Sequence, residues 1–243
     1  RGNWRRAIEC VQITTTGLEQ GDWSVGGNPW YNNRCGRKLV VSFRQSVAVF
    51  TDADCWKILR ESEFAAGVGE DSNVVVCFRA DYWAWLEEAD LNDEQQLSDA
   101  VAKSVQTKAW VVAQDEKERG LRAALNYGHT FGHVIENETK YTGFLHGEAV
   151  AVGIVMANDT AVELGWVSEE EADRVKALLE RYELPTTYEI KDVDSFYETF
   201  YLDKKSADSA ITFIIPKSLG GVGITDTIEE STIKKVLKQY AVN

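Results

Sequence analysis

RAALNYGHTFGHVIENETKYTGFLHGE (residues 122–148) decides how the rest of this chain is read, because it holds all three of its histidines, His129, His133 and His146. His129 and His133 lie four apart in a run of helical periodicity (Leu125, His129, Phe131, His133, Val134, Ile135), so both imidazoles are expected on one face of one helix. After a turn at Tyr141, Thr142 and Gly143, His146 opens a second apolar run, HGEAVAVGIVMANDTAVEL (146–164). A side chain in the first turn of that helix can swing back toward the preceding one. A single histidine on an apolar helix face is ordinarily a satisfied core residue, and an i, i+4 pair alone leaves the core and metal readings both open. Gly128 and Gly132 add to the metal reading. Inside a helix each costs about 1 kcal/mol relative to alanine, and glycines there let another backbone or a ligand come close.

The flanking composition bounds the function classes. With 243 residues and 44% hydrophobic content the chain can bury a substantial core, as one large domain or two small ones. No apolar run reaches the roughly 18 residues of a membrane span. No signal or transit segment opens the chain, so a soluble, cytoplasmic protein is expected. Cys10, Cys35, Cys55 and Cys77 are widely spaced without a CxxC pair, which fits reduced thiols. A net charge of −13 argues against a nucleic-acid partner. An anionic small substrate would need a local basic pocket, for which Arg37, Lys38, Lys108, Arg122, Lys204 and Lys205 are candidates. Six of the eight tryptophans (Trp4, Trp23, Trp30, Trp56, Trp83, Trp85) crowd the first third, as core or, if exposed, as an interface.

The chain order predicts an α+β protein. A strand over 8–16 is followed by a Gly-rich loop, GDWSVGGNPWYNNRCGRK (21–38), a second strand over 46–50 and a helix over 53–63. From Asp81 the pattern turns helical: 81–88, then 92–115 with an Asn/Asp start signal, then the two histidine helices. Gly165 stops the second of these, and Ser168-Glu169-Glu170-Glu171 is a capping box for a helix to about 182, before Pro185. Another helix over 192–202, a hairpin of strands 210–215 and 221–225, and a closing helix over 229–240 complete a mainly helical region.

The motif Arg122-x-x-Leu125-Asn126-x-Gly128-His129-Thr130-Phe131-Gly132-His133-x-Ile135-Glu136, followed by His146-Gly147-Glu148-Ala149-Val150, resembles the signature of dehydroquinate synthase and its sugar-phosphate cyclase relatives. Residues 1–60 resemble the end of that family's nucleotide-binding α/β domain, and 61–243 its helical metal- and substrate-binding domain. The resemblance implies NAD contacts at Thr15, Thr16, Asp22, Arg37 and the segment Cys55, Trp56, Lys57, Ile58. It implies a divalent metal, zinc or cobalt, on Glu70, His129 and His146. His133 would serve substrate hydrogen bonding and proton transfer, as suits an imidazole with a reference pKa near 6.5. Asn126 would bind substrate hydroxyls, while Lys108, Arg122 and the pair Lys204-Lys205 would hold carboxylate or phosphate.

The implied activity is cyclisation of a seven-carbon phosphorylated sugar acid with loss of phosphate, in the shikimate pathway to aromatic amino acids. Some positions depart from the family pattern: Asn28 and Asn73 stand where it has lysines, and its Gly-Lys-Asn triplet reads Gly36-Arg37-Lys38. Two strands cannot by themselves make a dinucleotide site. A homodimer, or a partner supplying the rest of an α/β half, is therefore expected. The alternative reading is a catalytically degenerate relative that serves as a structural or binding module.

Overall fold

The computed structural model describes residues 11–16, 24–25, 30–33, 36–41, 46–52, 54–55, 65, 67–69, 77–116, 120–201, 210–218 and 220–242, with backbone alone at 30–33 and 36–41. Among the described residues the amino-terminal part carries four short strands: β1 (Val11–Thr14), β2 (Trp30–Asn33), β3 (Gly36–Val41) and β4 (Ala48–Thr51). β1 pairs with β4 in parallel, Ile13 opposite Phe50 and Thr14 opposite Thr51. β2 and β3 form an antiparallel ladder, with an irregularity between Tyr31 and Asn33. The loop expected over 21–38 is thus partly a hairpin. Its strands are rich in aromatic and β-branched residues at Trp30, Tyr31, Val40 and Val41, and that β-propensity outweighs the glycines and asparagines that suggested a loop.

Beyond this lies a helical body: α1 (Ala80–Glu88), α2 (Glu94–Gln114), a 3-10 turn (Leu121–Asn126), α3 (His129–Glu138), α4 (His146–Glu163), α5 (Glu169–Arg181), α6 (Val193–Thr199), the strands β5 (Phe213–Ser218) and β6 (Gly221–Thr225), α7 (Glu230–Leu237) and a last 3-10 turn (Lys238–Tyr240). The local signals work as written. Asp93 caps α2 by accepting from the Gln96 N–H, and Ser168 with Glu171 closes the capping box of α5. α4 ends at Gly165, φ +69°, where the Gly165 N–H donates to Val162 and the Trp166 N–H to Ala161. Those bonds satisfy the carbonyls a helix end leaves orphaned, and only glycine takes the left-handed turn at no steric cost.

α4 is the axis of the body. Ala149, Val150, Ala151, Val152 and Ile154 are fully buried, and a helix apolar all round belongs at a core's centre. It packs on α3, α5, β5 and α7. α5 and α7 are by contrast one-sided, burying Val175, Leu178 and Leu179 and Ile233, Val236 and Leu237. An aromatic cluster ties the hairpin to α3: the Phe131, Phe200 and Phe213 rings lie 5.4 to 5.8 Å apart. Trp83 is buried in the core at 1% exposure and Trp85 packs against it, so these two tryptophans are structural. No helix among the described residues is long and apolar enough to cross a membrane.

Candidate metal centre

The run expected as one helix through His129 and His133 is two pieces. Leu121–Asn126 is a 3-10 turn. The chain then breaks at Tyr127 and Gly128, and His129 is the first residue of α3, with Gly128 at φ +80° in the N-cap position. A glycine is needed there twice over. The left-handed conformation disfavours any side chain, and a Cβ at Gly128 would lie 2.6 Å from Ile154 Cγ1 and 2.9 Å from the Val150 carbonyl oxygen.

Gly132 and Gly153 complete the contact between α3 and α4. A Cβ at Gly132 would stand 3.0 Å from the Ala149 carbonyl oxygen, and one at Gly153 only 2.1 Å from the Gly128 carbonyl oxygen. The glycines that are costly in a helix thus let another backbone come close. The consequence is chemical, because α4 begins with His146. With the two helices meshed, the His129 ring centroid lies 5.3 Å from that of His146 and 5.5 Å from that of His133, and His133 stacks on His146 at 6.0 Å.

Hydrogen bonds set the rings' orientation. His146 Nδ1 lies 3.1 Å from Glu136 Oε1, and His129 Nδ1 lies 3.4 Å from the Tyr127 carbonyl oxygen. Burial alone would push the Glu136 carboxyl up, but the hydrogen bond from His146 and the nearby imidazoles outweigh it and hold it below the usual glutamate range. A carbonyl and an ionised carboxylate can only accept, so Nδ1 bears hydrogen at both rings, and in the neutral imidazole Nε2 is the nitrogen with the lone pair. Ligand atoms of His133, Glu136 and His146 all lie within 4.8 Å of one another. Neutral imidazoles plus carboxylate at this spacing are a donor set that suits zinc or cobalt, so the residues present fit a divalent ion.

Beside the imidazoles is a cavity of about 390 Å³ whose wall includes the polar Asn126, His129, His133 and Asn137 and the apolar Phe200 and Ile214. Thr130, His133, Asn137 and Tyr141 follow helical spacing along this wall. That periodicity was present in the sequence, although it pointed only to Asn126 and the histidines. Glu136, three residues after His133 on the same helix, also went unassigned. The Asn126 amide donates to the Ala123 carbonyl oxygen at 3.3 Å. Lys108 and Arg122 are not among the lining residues; they are buried at 5% and 6% exposure. Arg122 donates through a guanidinium nitrogen to the Glu116 carbonyl oxygen at 2.9 Å. Cationic side chains are seldom this buried without a compensating partner.

Of the other residues named from sequence, Glu70, Asp22, Trp56, Lys57, Ile58, Lys204 and Lys205 lie outside the described residues, as does most of the helix expected over 53–63. Arg37 sits on β3, described by its backbone alone. Thr15 and Thr16 follow β1, and Cys55 lies in the turn after β4, its N–H donating to the Asp52 carbonyl oxygen. Because β1 and β4 run parallel with Thr14 opposite Thr51, these residues share the carboxyl end of the sheet. That is the side on which open α/β sheets bind nucleotides.

Residues 2–66 match the family model of the 3-dehydroquinate synthase N-terminal domain, and residues 67–206 that of the 3-dehydroquinate synthase C-terminal domain. The chain is 56% identical over 237 residues to the 3-dehydroquinate synthase of Sulfurovum sp. (strain NBC37-1), covering 98% of this chain and 68% of that protein. It is 55% identical over the same length to the 3-dehydroquinate synthase of Sulfurimonas denitrificans, with the same coverage of each. In fold it is similar to ValA, the 2-epi-5-epi-valiolone synthase of Streptomyces hygroscopicus subsp. jinggangensis 5008 with NAD+ and Zn2+ bound, at TM-score 0.86 and 21% identity over 98% of this chain and 68% of that one. It is similar likewise to 2-deoxy-scyllo-inosose synthase complexed with carbaglucose-6-phosphate, NAD+ and Co2+, at TM-score 0.81 and 23% identity over 97% and 68%.

Proposed function

The chain belongs to the 3-dehydroquinate synthase family, a family of sugar-phosphate cyclases, and from that premise we propose that it takes part in cyclising a seven-carbon phosphorylated sugar acid with loss of phosphate. One observation carries the reading: three imidazoles lie with ring centroids 5.3 to 6.0 Å apart, and two of them, His129 and His133, line a 390 Å³ cavity. His129 and His146, with Glu70, would hold a divalent ion. When bound, the ion supplies Lewis acidity toward neighbouring substrate hydroxyls, and NAD supplies the hydride acceptor. We assign NAD binding to residues 1–60, through Thr15, Thr16, Asp22, Arg37 and Cys55 to Ile58, and metal and substrate binding to 61–243. The boundary lies close to where the two family models meet.

The chain's own residues do the rest. His133 lines the cavity, with one ring nitrogen to accept a proton and the other to give one, which is the shuttle that carbon–oxygen bond cleavage and ring closure both need. Asn126, on the same wall, offers an amide that donates and accepts toward substrate hydroxyls. Lys108 and Arg122, buried outside the cavity lining, and the pair Lys204-Lys205 would supply the cationic partners for carboxylate and phosphate that a chain of charge −13 must gather locally. Phe200 and Ile214 add apolar surface to the same lining, which disfavours water beside them.

A second reading rests on β1 and β4. Ile13 and Phe50, opposite each other, are 78% and 61% exposed. A parallel sheet is ordinarily covered on both faces, so this ribbon suits packing against a further α/β segment or a second chain. A relative that uses the surface for assembly alone, without catalysis, has the same support. In either case we place the protein in the cytoplasm. The deciding experiment is phosphate release from the seven-carbon substrate with NAD and zinc supplied, alongside calorimetric NAD titration and elemental analysis. Turnover with bound metal supports the cyclase; metal and NAD binding both absent supports the assembly module.

A further inference from the structure

We propose that Glu136 is a positioning residue for the metal centre: its carboxylate holds the His146 ring so that Nε2, and not Nδ1, is presented to a divalent ion. This rests on the metal reading of His129 and His146 above. The geometry is a hydrogen bond of 3.1 Å from His146 Nδ1 to Glu136 Oε1, between an imidazole 30% exposed and a carboxylate only 13% exposed, so the accepting group is largely withdrawn from water. The carboxylate comes from α3 and the imidazole from the first position of α4, on helices fixed against each other by Gly128, Gly132 and Gly153.

Ligating histidines characteristically give their second N–H to a carboxylate or carbonyl, which fixes the tautomer and raises the ligand's basicity. His129 has a Tyr127 carbonyl in that place; His146 has Glu136. The competing role for Glu136 is direct ligation, since its oxygen lies with atoms of His133 and His146 inside a 4.8 Å group. Positioning is favoured because the Glu136 oxygen already sits at hydrogen-bond distance from a ring nitrogen that bears hydrogen.

The test uses the full chain with Glu136→Leu and Glu136→Gln. It reads zinc affinity by competition with a chromophoric chelator, and the visible spectrum of the cobalt-loaded protein. Glu136→Leu is expected to weaken zinc roughly 10- to 100-fold while leaving the cobalt bands at their wild-type energies, because no ligand is lost. Glu136→Gln, whose amide oxygen still accepts from Nδ1–H, is expected to recover most of the affinity. If the leucine variant does not fold, Glu136→Asp replaces it. That change keeps the charge but withdraws the carboxylate by one methylene, and a loss of about 10-fold is expected. Unchanged affinity in the leucine or aspartate variant overturns the proposal, and so do cobalt bands that shift as they would for a lost oxygen ligand. A wild-type chain that takes up neither ion overturns the metal reading with it, which separates the two failures.

Discussion

The α3–α4 pair and the β1–β4 pair are both built on backbones in close contact, and they end in opposite states. Between α3 and α4, glycines let main chains touch, and the interface is enclosed by Phe131, Val134, Ile135 and the fully buried stretch of α4. Between β1 and β4 the ladder is regular, yet Val11, Ile13 and Phe50 face outward at 50%, 78% and 61% exposure. Among the described residues this sheet has two strands, and a parallel two-stranded ribbon is marginal in water unless something covers it. Among the described residues, the helical half therefore encloses its histidine cluster with its own side chains, whereas the β1–β4 ladder leaves apolar side chains exposed.

The largest expected effect strikes the self-sufficient side. Gly153→Ala puts a methyl 2.1 Å from the Gly128 carbonyl oxygen, a backbone atom that cannot turn aside. Overpacking of this kind costs about 3 kcal/mol, read as a lower urea midpoint at unchanged slope. Because the same contact sets the 5.3 Å spacing of His129 and His146, zinc affinity should fall with stability. A stable variant with intact zinc binding would break the link between glycine packing and the site.

Next in size is His129→Ala. Removing one of the proposed ligands should cost more zinc affinity than disturbing an outer partner does, hence more than about 100-fold, with little change in the urea midpoint of the metal-free chain. Retention of zinc by this variant would shift the ligand set to His133, Glu136 and His146, the group whose donor atoms already lie together.

These two sites differ in how far the sequence disclosed them. The histidine spacing, the capping boxes at Ser168 and the Gly165 stop were legible because each depends on residues within a turn or two of one another. The break at Gly128 was not: the same glycine fits a helix interior that tolerates it or a left-handed cap, and only the approach of Ile154 from α4 selects the cap. Glu136 stood in the quoted motif, but its partner His146 is ten residues on and across a turn, so its role is a tertiary fact. The β2–β3 hairpin was hidden by Gly and Asn counts that outvoted the strand-forming residues beside them.

A smaller effect sharpens the picture of the helical half. Arg174 reaches from α5 to Glu87 on α1 at 2.7 Å, and that hydrogen bond holds the Glu87 carboxyl below its ordinary 4.5. A depressed folded pKa means stability that is present above about pH 4.5 and lost as pH falls through the lower folded value. Arg174 is 44% exposed, so solvent screening keeps the contribution under about 1 kcal/mol. Arg174→Ala should therefore melt lower than the parent at pH 7 and converge with it in acid. A gap that persists at low pH would assign the loss to packing of the arginine stem instead.

The smallest effect on the chain's own stability, and the sharpest on the comparison, comes from Ile13→Lys with Phe50→Lys. Both side chains are largely in water, so burial lost within the chain is slight and the change in unfolding free energy should stay within about 0.5 kcal/mol. Association is another matter. If the ribbon is a docking surface, two lysines side by side on it, Ile13 being opposite Phe50, bring unpaired charge into whatever covers them. Sedimentation should then show the parent chain associating and the double variant not, with zinc affinity the same in both. A loss of several kcal/mol in the variant's own stability would mean that the ribbon is already covered from within the chain, and the contrast between the two halves would dissolve.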